Sequence, residues 1–147
     1  INRGHNSAAF TSALAITKNR GIYVCAHIIL GLPGESEAMM LETIDFLNQH
    51  QIDGVKFHHL QVVKNTSLAQ QYSCGEIELY NQARDYIPVL CNCLEHLSPT
   101  IVIHRLASQV TSPDLLIAPH WKESPTQIAA AVEQELIKRG TFQGSLF

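Results

Sequence analysis

The sequence predicts an α/β fold built on a parallel sheet, and two observations favour this fold class. Candidate helices and strands alternate along the chain in the order helix, strand, helix, strand, helix, strand, helix. Strands that are separated by helices join through right-handed crossovers, which make neighbouring strands parallel. The clearest strand candidate, residues 22–30 (IYVCAHIIL), is almost continuously apolar, as is typical of a strand covered on both faces of a parallel sheet.

The first part of the chain contains two predicted helices on either side of this strand. Asn6 or Ser7 is the expected N-cap of the first helix, which runs to a basic last turn. Residues 31–35 (GLPGE) predict a turn by composition. Ser36 is the expected N-cap of the second helix, which ends near His50.

The middle of the chain predicts a second strand and a long helix. Residues 53–63 (DGVKFHHLQVV) are the strand candidate, and residues 65–72 predict a loop with one helical turn. A helical pattern then runs from about residue 79 to residue 97. We expect Pro88 to kink or interrupt this helix, because proline removes a backbone donor and crowds the preceding turn.

The last part of the chain predicts a short third strand and a final helix. Residues 101–106 (IVIHRL) are the strand candidate. The helix has clear boundaries, since Ser124 is a suitable N-cap, Pro125 suits the first helical position and Gly140 follows a basic last turn.

Composition excludes several classes of protein. A chain of 147 residues with 46% hydrophobic and 16% charged side chains matches a globular domain rather than a disordered tail or a collagen-like repeat. A net charge of -3 without a run of Lys or Arg argues against binding nucleic acid mainly by phosphate neutralisation. With no apolar stretch near the roughly 20 residues of a membrane span and no charged-then-apolar leader, we expect a soluble, cytoplasmic protein with no membrane partner.

The cysteines predict neither a disulfide framework nor a metal site. Cys25 and Cys74 are isolated, and Cys91 and Cys93 are one residue apart within a helical pattern, so they point to different faces. Scattered thiols of this kind favour a reducing compartment. We therefore assign no metal ligands.

The first candidate site follows the first strand. Two architectures fit the alternation, a small doubly wound sandwich or a portion of a (β/α) barrel that three strands cannot close, and in both the active face lies at the carboxyl ends of the strands. There, Gly31 and Gly34 allow close approach of a ligand, and the helix that starts near Ser36 offers unpaired amides. A tight strand-to-helix turn with Glu35 as a capping carboxylate accounts for the same residues.

The second candidate site lies on the second strand. Because side chains alternate along a strand, Lys56 and His58 share one face with Leu60. On an enclosed face, Lys56 and His58 could bind an anionic group or move protons, and Lys64 lies just past the expected end of the strand. Polar residues with a purely structural role would show the same pattern.

The third candidate site is His104 and Arg105, at the end of the third strand. This pair could bind a carboxylate or a phosphate. An ordinary ion pair with a neighbouring acidic residue is an equally good interpretation.

Five segments, taken together and in this order, resemble one family. With them the chain resembles the C-terminal half of radical S-adenosylmethionine proteins that have an Elongator/MiaB/NifB-type domain, and most closely the YhcC-type bacterial iron–sulfur oxidoreductases. The segments are residues 1–5 (INRGH), 24–35 (VCAHIILGLPGE), 55–58 (VKFH), 64–69 (KNTSLA) and 103–106 (IHRL).

The resemblance implies a fold and a chemistry. Residues 1–106 would form the C-terminal part of a parallel-stranded (β/α) barrel of the TIM type, and residues 107–147 a C-terminal helical extension packed on it. The family binds S-adenosylmethionine on a [4Fe-4S] cluster and cleaves it reductively to a radical that attacks the substrate.

The resemblance also implies roles for particular residues. Contacts to the adenosine part of the cofactor carry over to the turn after the first strand, and contacts near its ribose and methionine end carry over to Asn2 and Arg3. The basic residues named above would face the substrate. The implied cofactor contacts are thus Asn2, Arg3, Gly31, Leu32, Pro33 and Gly34, and the implied substrate-facing residues are Lys56, His58, Lys64, His104 and Arg105.

One departure from the family limits what this chain does alone. The family holds its cluster on a CxxxCxxC motif, which these residues lack. We therefore expect a C-terminal fragment of a longer protein, also indicated by Ile1 in place of Met, that is inactive alone and retains neither cofactor. RNA and a small molecule are both open as substrates, and open sheet edges favour self-association. The alternatives are a non-catalytic α/β module that binds an anion or a partner, and, more weakly, a small phosphate-binding enzyme.

Overall fold

The structure, a computed structural model, describes residues 4–18, 20–109 and 112–147. Its elements follow the predicted order, with two short strands, one short helix and a 3-10 turn added. The helices are α1 (Ser7–Thr17), α2 (Glu37–Gln49), α3 (Ser67–Ser73), α4 (Ala83–His96) and α5 (Pro125–Arg139), with a 3-10 turn at Pro113–Leu115; the strands are β1 (Cys25–Leu30), β2 (Gly54–His59), β3 (Val62–Val63), β4 (Val102–Arg105) and β5 (Leu116–Ala118).

A three-stranded parallel sheet with β2 at its centre organises the fold. On one side of β2, Val55 pairs with Ala26 of β1, and on the other side it pairs with Ile103 of β4. The predicted α/β class and the parallel sheet are therefore confirmed. The described residues do not close a barrel.

The hydrophobic core lies on one face of this sheet. Along β2, Val55, Phe57 and His59 are buried, whereas Lys56 and His58 between them are half-buried. The helices α2 and α4 supply the apolar side chains that pack on the buried face. These side chains are Met40, Ile44 and Leu47 from α2 and Tyr86, Leu90 and Leu94 from α4.

The prediction that the first strand is covered on both faces was wrong. His27 is exposed and Ile29 is 36% exposed, although Ala26 and Leu30 are buried. Since side chains alternate along a strand, His27 and Ile29 point away from the helices. A nearly continuous apolar run therefore forms a strand with one covered face and one uncovered face.

The second strand ends earlier than residue 63. The N–H of Leu60 still donates to Leu30 O (3.2 Å), but Leu60 itself is buried and does not share the uncovered face with Lys56 and His58. Beyond it, β3 pairs with β5 in a separate antiparallel ribbon. The partner strand lies about fifty residues further along the chain, so the local pattern of residues 53–63 contains no signal for this break.

Helix α4 also differs from its prediction. It starts at Ala83 rather than near residue 79, and Pro88 lies inside a single helix of 14 residues. Proline in a helix interior costs about 3 kcal/mol, which the burial of Tyr86, Leu90 and Leu94 on the same helix offsets. Residues 67–73 form a complete helix, α3, where one turn was expected.

The boundaries of α5 are confirmed, and its last turn is bound to α4. Ser124 and Gln127 form a capping box, and Gly140 ends the helix in the left-handed region. The Arg139 guanidinium pairs with the buried carboxylate of Glu95, 3.2 Å away. This contact fixes α5 against α4. None of the helices of the described residues is long and apolar enough to cross a membrane.

An aromatic cluster closes the carboxyl end of the sheet. The ring of His59 stacks on Trp121 with 3.7 Å between centroids, and its Nδ1 accepts from the Ser108 N–H (3.3 Å). The Tyr86 hydroxyl donates to Leu106 O, and the Trp121 indole donates to Tyr80 O, each at 2.8 Å. Burial, reinforced by His58, lowers the pKa of His59 to about 4.

The turn after β1 is closed by its own carboxylate. The Glu35 side chain accepts from the N–H groups of Gly31 (2.9 Å) and Leu32 (3.0 Å). Gly31 and Gly34 both have left-handed φ values, 84° and 75°. They differ in their surroundings, because a Cβ on Gly31 would lie 2.7 Å from the Tyr80 ring, whereas one on Gly34 would have open space.

These two glycines form a matched pair for a stability test. We expect Gly34→Ala to cost about 1–2 kcal/mol of unfolding free energy, the usual penalty for a side chain in the left-handed region. Gly31→Ala should cost roughly 1–3 kcal/mol more, because it adds the clash with Tyr80. Urea unfolding of both variants measures the difference, and equal losses would show that Tyr80 does not constrain the turn.

The low pKa of His59 predicts how stability changes with pH. An unfolded histidine gains a proton as the pH falls through 6.5, whereas folded His59 stays neutral to about 4, so protons favour the unfolded chain. Above pH 6.5, His59 makes the stability no different at different pH values. As the pH falls from 6.5 to 4, about 3 kcal/mol of unfolding free energy is lost.

Urea unfolding between pH 7 and pH 4 measures this loss. His59→Gln should show a clearly reduced slope, whereas the exposed control His120→Gln should keep the slope of the original protein. An unchanged slope in His59→Gln would contradict the assignment.

Candidate functional site

The uncovered face of the three-stranded sheet is the candidate functional site. We call it the open face. It presents polar side chains from every strand, alternating with the buried side chains that face the helices. The residues that define it are His27 and Ile29 of β1, Lys56 and His58 of β2, and Val102 and His104 of β4, together with Arg105, which the register shift pairs with Lys56.

Two imidazoles stack at the centre of the open face. The rings of His27 and His58 lie 5.4 Å apart between centroids, with 21° between their planes. His58 Nδ1 is 3.5 Å from the Ser108 hydroxyl, whereas His58 Nε2 is buried and has no hydrogen-bond partner among the described residues. A buried ring nitrogen without a partner is costly, so this atom indicates a missing ligand.

Two cationic residues are paired across β2 and β4 beside these imidazoles. The register between β2 and β4 shifts after Val55, so that Lys56 pairs with Arg105 rather than with His104. Like charges on directly opposite residues destabilise a sheet. Neither the Lys56 side chain nor the Arg105 side chain forms a hydrogen bond or an ion pair with a described residue, so neither charge is compensated there.

This positive potential acts on both imidazoles. Burial lowers the pKa of His27, and the charges of Lys56 and Arg105 lower it further. Burial likewise lowers the pKa of His58, followed by the effects of His27, Arg105 and Lys56. Both rings are therefore biased towards the neutral form, in which each has one nitrogen that donates and one that accepts a hydrogen bond.

His104 occupies a space that a glycine provides. A Cβ on Gly54 would lie 2.6 Å from His104 Nε2, so the imidazole rests directly over the backbone of β2. Sequence reasoning missed both Gly54 and His27. The available signal was that His27 shares one face of the strand with Cys25 and Ile29, but this polar residue lay inside an apolar run.

The predicted cofactor contacts in residues 31–34 lie in the turn after β1 and not on the open face. Gly31, Leu32, Pro33 and Gly34 form the turn at the carboxyl end of β1, and the Glu35 carboxylate accepts from the N–H groups of Gly31 and Leu32. Their contact with the cofactor stays a prediction.

Lys64 does not belong to the open face in the structure. Lys64 is exposed in the turn after β3, with its N–H bonded to Leu115 O (2.8 Å). Asn2 and Arg3 lie outside the described residues.

Two concavities border the β4 end of the sheet. One, of about 750 Å³, lies between β4 and α5 and is lined by Ile103, Arg105 and Leu136 among others. The second, of about 520 Å³, is lined by His59, Ser108 and other residues at the carboxyl end of β2. Space for a small molecule is therefore available next to the open face.

The described residues do not fit a metal centre. They contain no group of three or more His, Cys, Asp or Glu side chains that could hold a metal ion. Cys91 and Cys93 are fully buried, and burial raises the pKa of Cys91 to about 11 and that of Cys93 to about 12. Because iron–sulfur clusters bind thiolates, these thiols are unsuitable ligands.

Comparison with known proteins gives relatives over the whole chain. The chain is 40% identical to the uncharacterized protein MJ0486 of Methanocaldococcus jannaschii over 147 residues, covering 100% of this chain and 45% of that protein. It is 34% identical to YtqA of Bacillus subtilis over the same length, again with 45% of that protein covered. It is 32% identical to YhcC of Escherichia coli K12 over 145 residues, which cover 99% of this chain and 46% of that protein. The chain thus spans about half the length of these relatives.

A solved structure shares the fold. The Elp3 protein of Methanocaldococcus infernus, with its N-terminal residues 1–46 deleted, superposes with a TM-score of 0.81 at 22% identity. The superposition covers 97% of this chain and 33% of Elp3.

Family membership follows from a match to more than half of the chain. Residues 52–138, which include β2, β4 and all but the last residue of α5, match the Radical SAM C-terminal domain. The chain therefore belongs to the Radical SAM C-terminal domain family.

Proposed function

We propose that this chain is the C-terminal part of a radical S-adenosylmethionine iron–sulfur oxidoreductase, and that its open face lines the substrate chamber of a (β/α) barrel. The observation that carries the proposal is a sheet with one polar, uncovered face in a chain of this family. In the whole protein, S-adenosylmethionine on a [4Fe-4S] cluster would supply the radical chemistry by reductive cleavage.

The free edge of the sheet supports a larger barrel. Among the described residues β1 pairs only with β2, so its other edge is available to a further parallel strand. An edge strand presents unpaired N–H and C=O groups to which a further strand can pair, and parallel sheets normally have both faces covered. Relatives about twice as long as this chain have enough additional residues for the missing strands.

If the open face lines the substrate chamber, its side chains lie where they can contact the substrate. Lys56, His58, His104 and Arg105 would contact the substrate from the open face, and His27 joins them. The turn from Gly31 to Gly34 would contact the adenosine part of the cofactor. Asn2, Arg3 and Lys64 are retained only as proposals from the family resemblance.

The cluster must be held by residues elsewhere in the longer protein. Neither the buried pair Cys91 and Cys93 nor the isolated, exposed Cys74 forms a suitable ligand set among the described residues. We propose that a CxxxCxxC motif precedes this part of the chain, and that the 147 residues alone are inactive.

The alternative is a non-catalytic module that binds an anion or a partner at the helix start near Ser36. The hydrogen bonds of the turn argue against it. Glu35 fills the amides of Gly31 and Leu32, and the Ser36 hydroxyl accepts from the Met39 N–H (3.3 Å). An anion at the Gly31 and Leu32 amides would have to displace the carboxylate of Glu35, and one at the Met39 amide would have to displace the Ser36 hydroxyl.

Reductive cleavage of S-adenosylmethionine tests the proposal. The full-length protein, reconstituted anaerobically with iron and sulfide and then reduced, should release 5′-deoxyadenosine. A variant with the upstream cysteines replaced is the matched control and should release none. Failure of the reconstituted protein to form 5′-deoxyadenosine would refute the enzyme proposal.

The isolated chain gives a complementary measurement. After the same reconstitution, the 147-residue chain should show no iron–sulfur absorbance, because its described residues contain no ligand set. A stable brown cluster on this chain would contradict our reading of its cysteines.

A further inference from the structure

We propose that the open face binds a dianionic phosphoryl group of the substrate, a phosphate monoester, between Lys56 and Arg105 and against the stacked rings of His27 and His58. This inference rests on the proposed function, since it names the chemical class of the substrate that the same face would receive. The observations that carry it are the uncompensated cation pair, the buried ring nitrogen without a partner and the shift in strand register.

The shift in strand register pairs the cations Lys56 and Arg105. In regular pairing Lys56 would lie opposite His104, but the shift after Val55 makes Arg105 its neighbour. A shift in register disrupts the ladder and re-aims a side chain, and such irregularities occur next to active sites. Here it brings a second fixed positive charge beside the first, at a cost that an anion between them would remove.

The charge count favours a dianion over a monoanion. Lysine and arginine side chains are cations near neutral pH, and no described residue forms an ion pair with Lys56 or Arg105. A phosphate monoester carries close to two negative charges near pH 7, which matches two fixed cations. The fork of an Arg side chain also suits two oxygens of one phosphate, while Lys binds as a point charge.

The imidazole pair completes the site. His27 and His58 stack with 5.4 Å between centroids, and the charges of Lys56 and Arg105 reach both rings. His58 Nε2 is buried and unpaired, and in the tautomer protonated at this nitrogen it can donate to a phosphate oxygen. A bound phosphoryl oxygen would thus satisfy the one orphan atom of the face.

Binding of three small anions to the full-length protein tests the site. The probes are inorganic phosphate, dimethyl phosphate and acetate, and the readouts are calorimetry and the imidazole NMR signals of His27 and His58. Phosphate should bind most tightly and shift both signals. Dimethyl phosphate represents the phosphodiester of a nucleic-acid backbone, and acetate represents a carboxylate. Either of them binding as tightly as phosphate would overturn the phosphate monoester assignment.

Matched variants separate the site from general charge effects. The double variant Lys56→Gln/Arg105→Gln should weaken phosphate binding by at least about tenfold, since it removes two charge-assisted contacts. The control Lys122→Gln/Arg84→Gln removes the same two charge types from exposed positions outside the strands and should change binding less than about twofold. Equal weakening in both would overturn the proposal, as would unshifted His27 and His58 signals.

Thermal unfolding shows whether the double variant loses phosphate binding because it has lost stability. Removing two opposed like charges should leave the melting temperature of Lys56→Gln/Arg105→Gln unchanged or raise it. A lower melting temperature, together with lost phosphate binding, would mean that the residues support the fold instead of the ligand. Formation of 5′-deoxyadenosine, measured separately on the unsubstituted protein, keeps the two proposals apart. Cleavage without phosphate binding refutes only this inference, and phosphate binding without cleavage refutes only the enzyme.

Discussion

The alternation of side chains along β2 is the constraint on which the rest of the structure depends. Because β2 lies between two parallel neighbours, each of its residues points either into the helices or away from them. Val55, Phe57 and His59 face α2 and α4 and belong to the buried side, so Lys56 and His58 must face the other way. The same parity, carried through the pairing, places His27 of β1 on that second face. The burial of alternate residues on β2 thus decides which residues of β1 and β2 lie on the open face.

The carboxyl end of the sheet connects this packing to the site. His59 is the last residue of β2 and is held by Trp121 and by the Ser108 N–H. Ser108 in turn donates to His59 O (2.8 Å) and lies next to the ring of His58. The cluster that stabilises the core therefore also orients an imidazole of the open face. A neutral His59 suits this role, because protonation would remove the acceptor that the Ser108 N–H uses.

Much of the fold could be predicted from the sequence, because its signals are local. Ser124, Pro125 and Gly140 bound α5 through capping and backbone conformation alone, and the alternation of elements indicated a parallel sheet. What could not be predicted depends on distant partners. The pairing of Val62 and Val63 with β5, the burial of Leu60 and the continuation of α4 through Pro88 are all decided by tertiary contacts. In the site, Lys56, His58, His104 and Arg105 were predicted individually, whereas the register shift that joins Lys56 to Arg105 has no counterpart in the local sequence pattern.

The central claim is that the open face belongs to the inside of a larger barrel. A crystal structure of the full-length protein with S-adenosylmethionine bound tests it most directly. We predict a further parallel strand on the free edge of β1, and the side chains of His27, Lys56, His58 and Arg105 directed into the chamber that holds the cofactor. A structure in which a helix covers these side chains, or in which they face bulk solvent, would contradict the account.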